Sequence, residues 1–175
     1  FREEIENERI QFRKADLLDL DQDRLFDVVI CIDVLEHIND DRRVIRNLSD
    51  VLKEGGYFLM HSPSTYSEED AGEDDSFVDE HARVGYSKEE ITEKIKEAGL
   101  APVKVAYTYG RKGHLAWELL IKYPMLWMTK IKLWALPFMA IYYLFTLPVG
   151  LILMKLDIKE TNEKGTGIYA LGRKE

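Results

Sequence analysis

The chain has 175 residues, 46% hydrophobic and 32% charged, the balance of one globular domain with its own core and not of a disordered segment. Its net charge of −8 excludes a general nucleic-acid binder, and a single cysteine, Cys31, excludes an intrachain disulfide framework and any cysteine-based zinc site. That cysteine usage predicts a cytoplasmic protein, and the opening FREEIENERI is too charged to be a secretory signal.

In chain order, residues 1–9 are mostly charged and read as the tail of a helix. Residues 10–16, IQFRKAD, alternate apolar and polar, which predicts a half-exposed strand ending on an acid. Residues 26–32, FDVVICI, form a near-continuous apolar run, the pattern of a strand covered on both faces of a parallel sheet. Residues 40–53 put Val44, Leu48, Val51 and Leu52 at helical spacing, with Gly55 and Gly56 as the helix stop. YFLMHSP, residues 57–63, is a second buried strand closed by Pro63. Residues 67–80 carry eight acids and read as a solvated loop. Ser87 with Glu90 three residues later is a capping box for a helix that ends at Gly99. APVKVAYTYG, 101–110, and TGIYALGRK, 166–174, alternate as strands. Strands alternating with helices predict an α/β fold with a mainly parallel sheet. The last strand arrives without a parallel crossover of its own, so it should pair antiparallel beside residues 101–109.

The strand at 26–32 runs straight into Asp33, Glu36 and His37, where a chain that merely turned would use Gly, Asn or Pro. Ionisable groups at that point suggest a site, because ligands of open α/β sheets sit at the carboxyl ends of strands. Two carboxylates three apart beside an imidazole would suit a hard divalent cation if a helix lets them converge. The plainer reading is that Glu36 and His37 cap and orient that helix, and no metal is assigned. Cys31 reads as mid-strand packing and His61 as a satisfied core residue. His114 is given no role.

The runs ADLLDL, FDVVICIDVLEHI, VLKEGGYFLMHSPS, HARVGYSKEEI and EAGL, in this order, resemble the C-terminal two-thirds of class I S-adenosylmethionine-dependent methyltransferases of the broad type 11 kind. The resemblance covers residues 10–110 and the last strand. It implies a Rossmann-like sheet, S-adenosylmethionine as cofactor and a small-molecule or lipid-like acceptor. By resemblance, Asp16 accepts from the adenine amino group and the Leu17 N–H meets a ring nitrogen. Cys31, Ile32, Asp33 and Leu35 would border the methionine part. His37 and His81 become candidate bases for the acceptor, with Tyr86 to orient it. The D-x-x-E-H run also resembles the E-x-x-E-H metal site of ubiquinone-pathway O-methyltransferases and small-RNA methyltransferases, with Asp33 in place of the first Glu. Two elements depart from the pattern, since the Gly-rich cofactor loop that the family carries after its first strand and the acid that it carries after its second strand for the ribose are both lacking. Residues 1–111 and 164–175 therefore read as a partial methyltransferase domain, and residues 112–163 as an inserted hydrophobic helical segment. A non-catalytic membrane or protein adaptor built on the same fold is the alternative.

The insertion carries charge of its own sign. Arg111, Lys112, Lys122, Lys130 and Lys132 against Glu118 alone give +4 over residues 111–132, leaving −12 for the rest. Residues 133–154 are 22 positions without a charge, a spanning candidate by length. Pro124, Pro137 and Pro148, however, read as the openings of several short helices, each too short for ~30 Å of hydrocarbon. The last strand must also return to the sheet, which puts both ends of the insertion on one side. Three occupants stay open for the apolar surface: the acceptor site beneath a lid, a membrane surface with the protein peripheral to it, or a homodimer partner.

Overall fold

The computed structural model describes residues 10–20, 25–70 and 82–175. Four strands, β1 Phe26–Ile32, β2 Leu52–Pro63, β3 Leu100–Thr108 and β4 Gly167–Lys174, form one sheet in the order β1-β2-β4-β3. β1 pairs parallel with β2, and β4 lies antiparallel between β2 and β3. The antiparallel last strand beside β3 is as the sequence led us to expect. Because β4 reverses between them, β1, β2 and β3 share one direction and present their carboxyl ends at one edge.

Two helices cover one face of this sheet. Helix α1, Asp41–Asp50, starts where the Asp40 carboxylate accepts from the Arg43 N–H at 3.2 Å. It buries Val44, Ile45 and Leu48, the i, i+1 and i+4 positions of one stripe. Helix α2, Lys88–Glu97, begins at the expected cap, with Ser87 Oγ accepting from the Glu90 N–H at 3.1 Å, and buries Ile91 and Ile95. The Glu90 side chain does not close the capping box; it turns to Arg83 and Lys94. Against these stripes stand Phe58 and Met60 of β2 and Ile168 and Ala170 of β4, all fully buried.

The opposite face carries the alternate residues of each strand and is largely open. Val28, Ile30 and Ile32 of β1 are 52%, 60% and 55% exposed, so the expectation of a strand covered on both faces does not hold among the described residues. Residues 10–16 form no ladder: alternation tells which way side chains alternate, but a strand also needs a neighbour to bond, and none is paired here. Their side chains lead into a short 3₁₀ turn, Leu17–Asp19. Residues 1–9 and most of the acidic run lie outside the described residues. Gly55 and Gly56 do not stop α1, which ends at Asp50; they sit within β2, where Gly55 takes φ +77° in the irregular stretch between the Phe26–Leu52 and Val28–Tyr57 pairs.

The insertion corrects a larger expectation. Helix α3, Arg111–Trp117, passes through a π-helical turn, Glu118–Lys122, directly into α4, Tyr123–Ile131. A 3₁₀ turn, Lys132–Ala135, reverses the chain, and α5, Leu136–Lys159, runs back for 24 residues. The three prolines do not divide this hairpin into separate short helices. Pro137 opens α5, but Pro148 lies inside it, and Lys122 and Tyr123 keep helical torsions up to Pro124. A proline at 124 withholds the N–H that the Leu120 carbonyl would take in an α-helix. The Tyr143 hydroxyl supplies a donor instead, 2.7 Å from the Leu120 oxygen, and Tyr142 does the same for Leu119 at 2.8 Å. Gly113 and Gly150 let the two arms approach: a Cβ on Gly150 would stand 2.5 Å from a Leu120 methyl, and one on Gly113 would stand 2.5 Å from Asp157 Oδ2.

Candidate functional site

The carboxyl edge of β1, β2 and β3 gathers the polar residues. Asp33, just past β1, adopts φ +51°, a left-handed conformation that costs a non-glycine residue about 1–3 kcal/mol. Its N–H donates to the His61 carbonyl at 3.0 Å, and its Oδ1 lies 2.9 Å from His61 Nδ1. The other ring nitrogen, Nε2, is 3.1 Å from Thr108 Oγ1 at the end of β3. Tyr109, next in the chain, is also left-handed at φ +52° and sets its ring edge-on to His61, centroids 6.1 Å apart. Two strained residues thus flank one imidazole. A carboxylate can only accept, so Asp33 fixes the proton on Nδ1 and leaves the Nε2 lone pair toward the Thr108 hydroxyl.

His61 opens onto a cavity of ≈470 Å³ under the base of the hairpin, shared with Tyr107, Tyr169, Met154, Asp157 and Asn162. Asp157 is buried to 7% exposure, and its Oδ1 has no hydrogen-bond partner among the described residues. The sequence reading took His61 for core and assigned Asp157 and Asn162 nothing. Period-two counting puts His61 on the face of Tyr57 and Leu59, but nothing local announces partners 28 positions before it and 47 after.

A second cavity, ≈620 Å³, is lined by Lys14, Ala15, Asp16, Leu17, Leu18 and Ile38. Asp16 Oδ1 caps the 3₁₀ turn by accepting from the Leu18 N–H at 2.9 Å, and Asn47 of α1 holds the turn by donating to the Leu17 carbonyl at 2.8 Å. Asp16 offers a carboxylate acceptor for the exocyclic N–H of an aminopurine, and the side chains of Leu17, Leu18 and Ile38 on the same wall offer apolar contact for its ring. The residues present fit the adenine end of S-adenosylmethionine. For the remainder the chain offers no Gly-rich loop before β1, since the first glycine in the sequence is Gly55.

The other expected residues are placed as follows. Leu35 is fully buried, Ile32 is 55% exposed on the open face, and Cys31 is buried with its thiol pushed up to about 11 by burial and by the charges of Glu36 and Asp33. That thiol is no nucleophile near neutrality. Asp33, Glu36 and His37 do not converge as the metal reading required. Asp33 faces His61, while Glu36 turns inward, accepting from Ser62 Oγ at 2.8 Å, and its backbone oxygen takes the Ala82 N–H at 2.8 Å. His37 is exposed on a 3₁₀ turn, Leu35–His37. His81 lies outside the described residues. Tyr86 has no exposed surface, and its hydroxyl donates to Asp41 at 2.7 Å, in a cluster with Arg83, Glu90 and Lys94. Burial alone would raise the Asp41 carboxyl, but hydrogen bonds from Lys94 and Tyr86 and the charges of Lys94 and Arg83 hold it below its ordinary value.

Residues 2–100 match the family described as a methyltransferase domain. The ubiquinone biosynthesis O-methyltransferase of Rickettsia akari (strain Hartford) is 38% identical over 54 residues, 31% of this chain and 22% of that enzyme. The enzyme of the same name from Rickettsia prowazekii (strain Madrid E) is 38% identical over 52 residues, 30% of this chain and 21% of that enzyme. The chain thus aligns with about a fifth of the length of these relatives. Among solved structures, a S-adenosylmethionine-dependent methyltransferase from Clostridium acetobutylicum superposes with a TM-score of 0.55 at 15% identity, over 99% of this chain and 69% of that one. The [4+2]-cyclase SpnF superposes equally well, TM-score 0.55 at 19% identity, over 99% of this chain and 58% of that one. At such identities the likeness establishes the Rossmann-like fold, and the cyclase shows that this fold hosts more than one chemistry.

Proposed function

Because the chain belongs to the methyltransferase-domain family that its residues 2–100 match, we propose that it takes part in S-adenosylmethionine-dependent methyl transfer to a small or lipid-like acceptor. The observation that carries this reading is Asp16, a carboxylate on the wall of the ≈620 Å³ cavity beside Leu17, Leu18 and Ile38. There it accepts from the exocyclic amine of the adenine, while Leu17, Leu18 and Ile38 enclose the ring. Bound S-adenosylmethionine supplies an electrophilic methyl group on a sulfonium.

The chain's own residues position the acceptor and take its proton. The acceptor lies in the cavity under the hairpin, beside Tyr107, Tyr169 and Asn162. As an O–H or N–H group becomes nucleophilic, its proton passes to Nε2 of His61, and Asp33 across the ring stabilises the resulting imidazolium. Met154 and Ile158 of α5 wall the cavity with apolar surface, which suits an acceptor bearing a hydrocarbon portion and limits water.

The second reading is a non-catalytic module that acts through the hairpin, and the exposed apolar surface of α5 favours it. Equilibrium dialysis with S-adenosylhomocysteine separates the two. The methyltransferase reading expects saturable binding that weakens by roughly 5- to 150-fold in Asp16→Ala, the equivalent of a lost charge-assisted hydrogen bond of about 1–3 kcal/mol. An unchanged constant would leave Asp16 a turn residue only, and no binding by either form would favour the adaptor.

A further inference from the structure

We infer that the α3–α5 hairpin docks on an anionic lipid bilayer, lying along its headgroup–acyl boundary with α5 on the acyl side. This goes beyond the methyl-transfer reading and holds whether or not that reading does.

Three observations carry it. First, α5 is apolar on every side yet uncovered. Its most apolar 18-residue window is only 6% buried, and Phe138, Leu144, Phe145 and Ile152 are 64%, 71%, 68% and 59% exposed. A helix that is hydrophobic all round belongs in a core or in lipid, and among the described residues no core surrounds this one. Second, the hairpin is basic on an acidic protein, with +4 over residues 111–132 against −12 elsewhere. A second copy would bring the same cations to the contact and would cover one side of α5 only; an anionic bilayer satisfies both the charge and the geometry. Third, the cations recur along the whole first arm: Arg111 and Lys112 at its base, Lys122 in its middle, Lys130 and Lys132 at the tip. The middle one is held by Glu118 at 2.9 Å. A hairpin standing across the bilayer would draw that ion pair into hydrocarbon, a burial of charge that a boundary position avoids. Lying parallel to the surface keeps every cation at phosphate depth and gives Trp117, Trp127 and Trp134 the interfacial position that indole rings favour.

Vesicle flotation of the whole chain tests this. It should float with phosphatidylcholine–phosphatidylglycerol vesicles, float poorly with pure phosphatidylcholine, and lose binding as salt rises. Lys130→Glu with Lys132→Glu should weaken binding at least roughly 30-fold, the effect of removing two basic groups near the surface. Phe138→Glu with Phe145→Glu and Ile152→Glu should abolish it. These side chains are exposed in the folded chain, so circular dichroism should stay unchanged. Lys132→Cys should react with a membrane-impermeant thiol reagent added outside sealed vesicles, since Cys31 is buried. Labelling only after the vesicles are opened with detergent would mean that the hairpin crosses the bilayer and would overturn the boundary placement. A chain that ignores anionic vesicles, or that forms a dimer abolished by the same glutamates, would overturn the lipid partner itself.

Discussion

Lys94→Met removes a partner of the buried Asp41 carboxylate. Lys94 Nζ lies 2.5 Å from Asp41 Oδ2, and both side chains are 5% exposed. The same oxygen accepts from Tyr86 at 2.7 Å and from Arg83 at 2.9 Å, while Arg83 grips Glu90 with two contacts of 2.6 Å. The Arg83 guanidinium also stacks 3.9 Å from the Tyr86 ring centroid, so the cluster ties β2's exit, α1 and α2 together. Methionine fills the volume but leaves Asp41 charged and buried with Arg83 alone to offset it. Breaking a buried pair in this way costs about 3–5 kcal/mol. For a chain of this size each kcal/mol moves Tm by about 2–4 °C, so melting followed by circular dichroism at pH 7 should drop by roughly 6–20 °C. The pH profile gives the sign. The Asp41 and Glu90 carboxyls sit below their ordinary values of 3.8 and 4.5 in the fold, Asp41 through Lys94 and Tyr86, Glu90 through Arg83 and Lys94, each against the opposing effect of burial. Their stabilisation is present above those values and is lost as pH falls through the lower folded ones. In Lys94→Met the Asp41 value rises, so the gap to wild type should narrow on acidification. A loss under about 1 kcal/mol, or a gap that stays constant from neutral to acid pH, would refute the assignment of Lys94 as the counter-charge.

Two further outcomes test neighbouring features. Tyr86 is pushed above its ordinary value of 10.0 by burial and by its bond to Asp41. Its contribution is therefore complete below 10.0 and lost as pH rises through the folded value, and an ultraviolet titration against Tyr86→Phe should show one phenol resisting ionisation until the chain unfolds. Tyr143→Phe should cost about 0.5–1.5 kcal/mol in urea unfolding, and much less in a Pro124→Ala background, where an alanine N–H restores the donor to Leu120; equal costs in both would deny that the hydroxyl replaces the missing amide.

The elements that announced themselves in the sequence are those whose side-chain period matches a face that is covered here. Val44 and Leu48 lie on the α1 stripe, Ile91 and Ile95 on that of α2, and Ser87 caps its helix because capping is local chemistry. Residues 10–16 misled because alternation describes facing and not pairing. The glycine pair at 55 and 56 misled because the same residue ends a helix or bends a strand, and only the register with β1 decides. Prolines were overvalued as helix breaks, since the compensating hydroxyl of Tyr143 stands 23 residues from the carbonyl it serves. Asp33 could be placed from the sequence because it follows the apolar run of β1, whereas Asp16 ends no strand and caps a 3₁₀ turn instead. The candidate site was illegible at His61, whose role as a positioned imidazole depends on Asp33 and Thr108, brought beside it only by the sheet.

The pairing of Pro124 with Tyr143 has an evolutionary consequence. Each residue alone is a defect, a missing donor or a phenol without purpose, and each is tolerated because the other is present. Sequences descending from this one are therefore constrained in order: a change at 124 to any other residue frees position 143 to drift, whereas loss of the tyrosine first leaves the proline exposed to selection. In a set of related chains the two positions should vary together, across 18 intervening residues, although neither lines the candidate site.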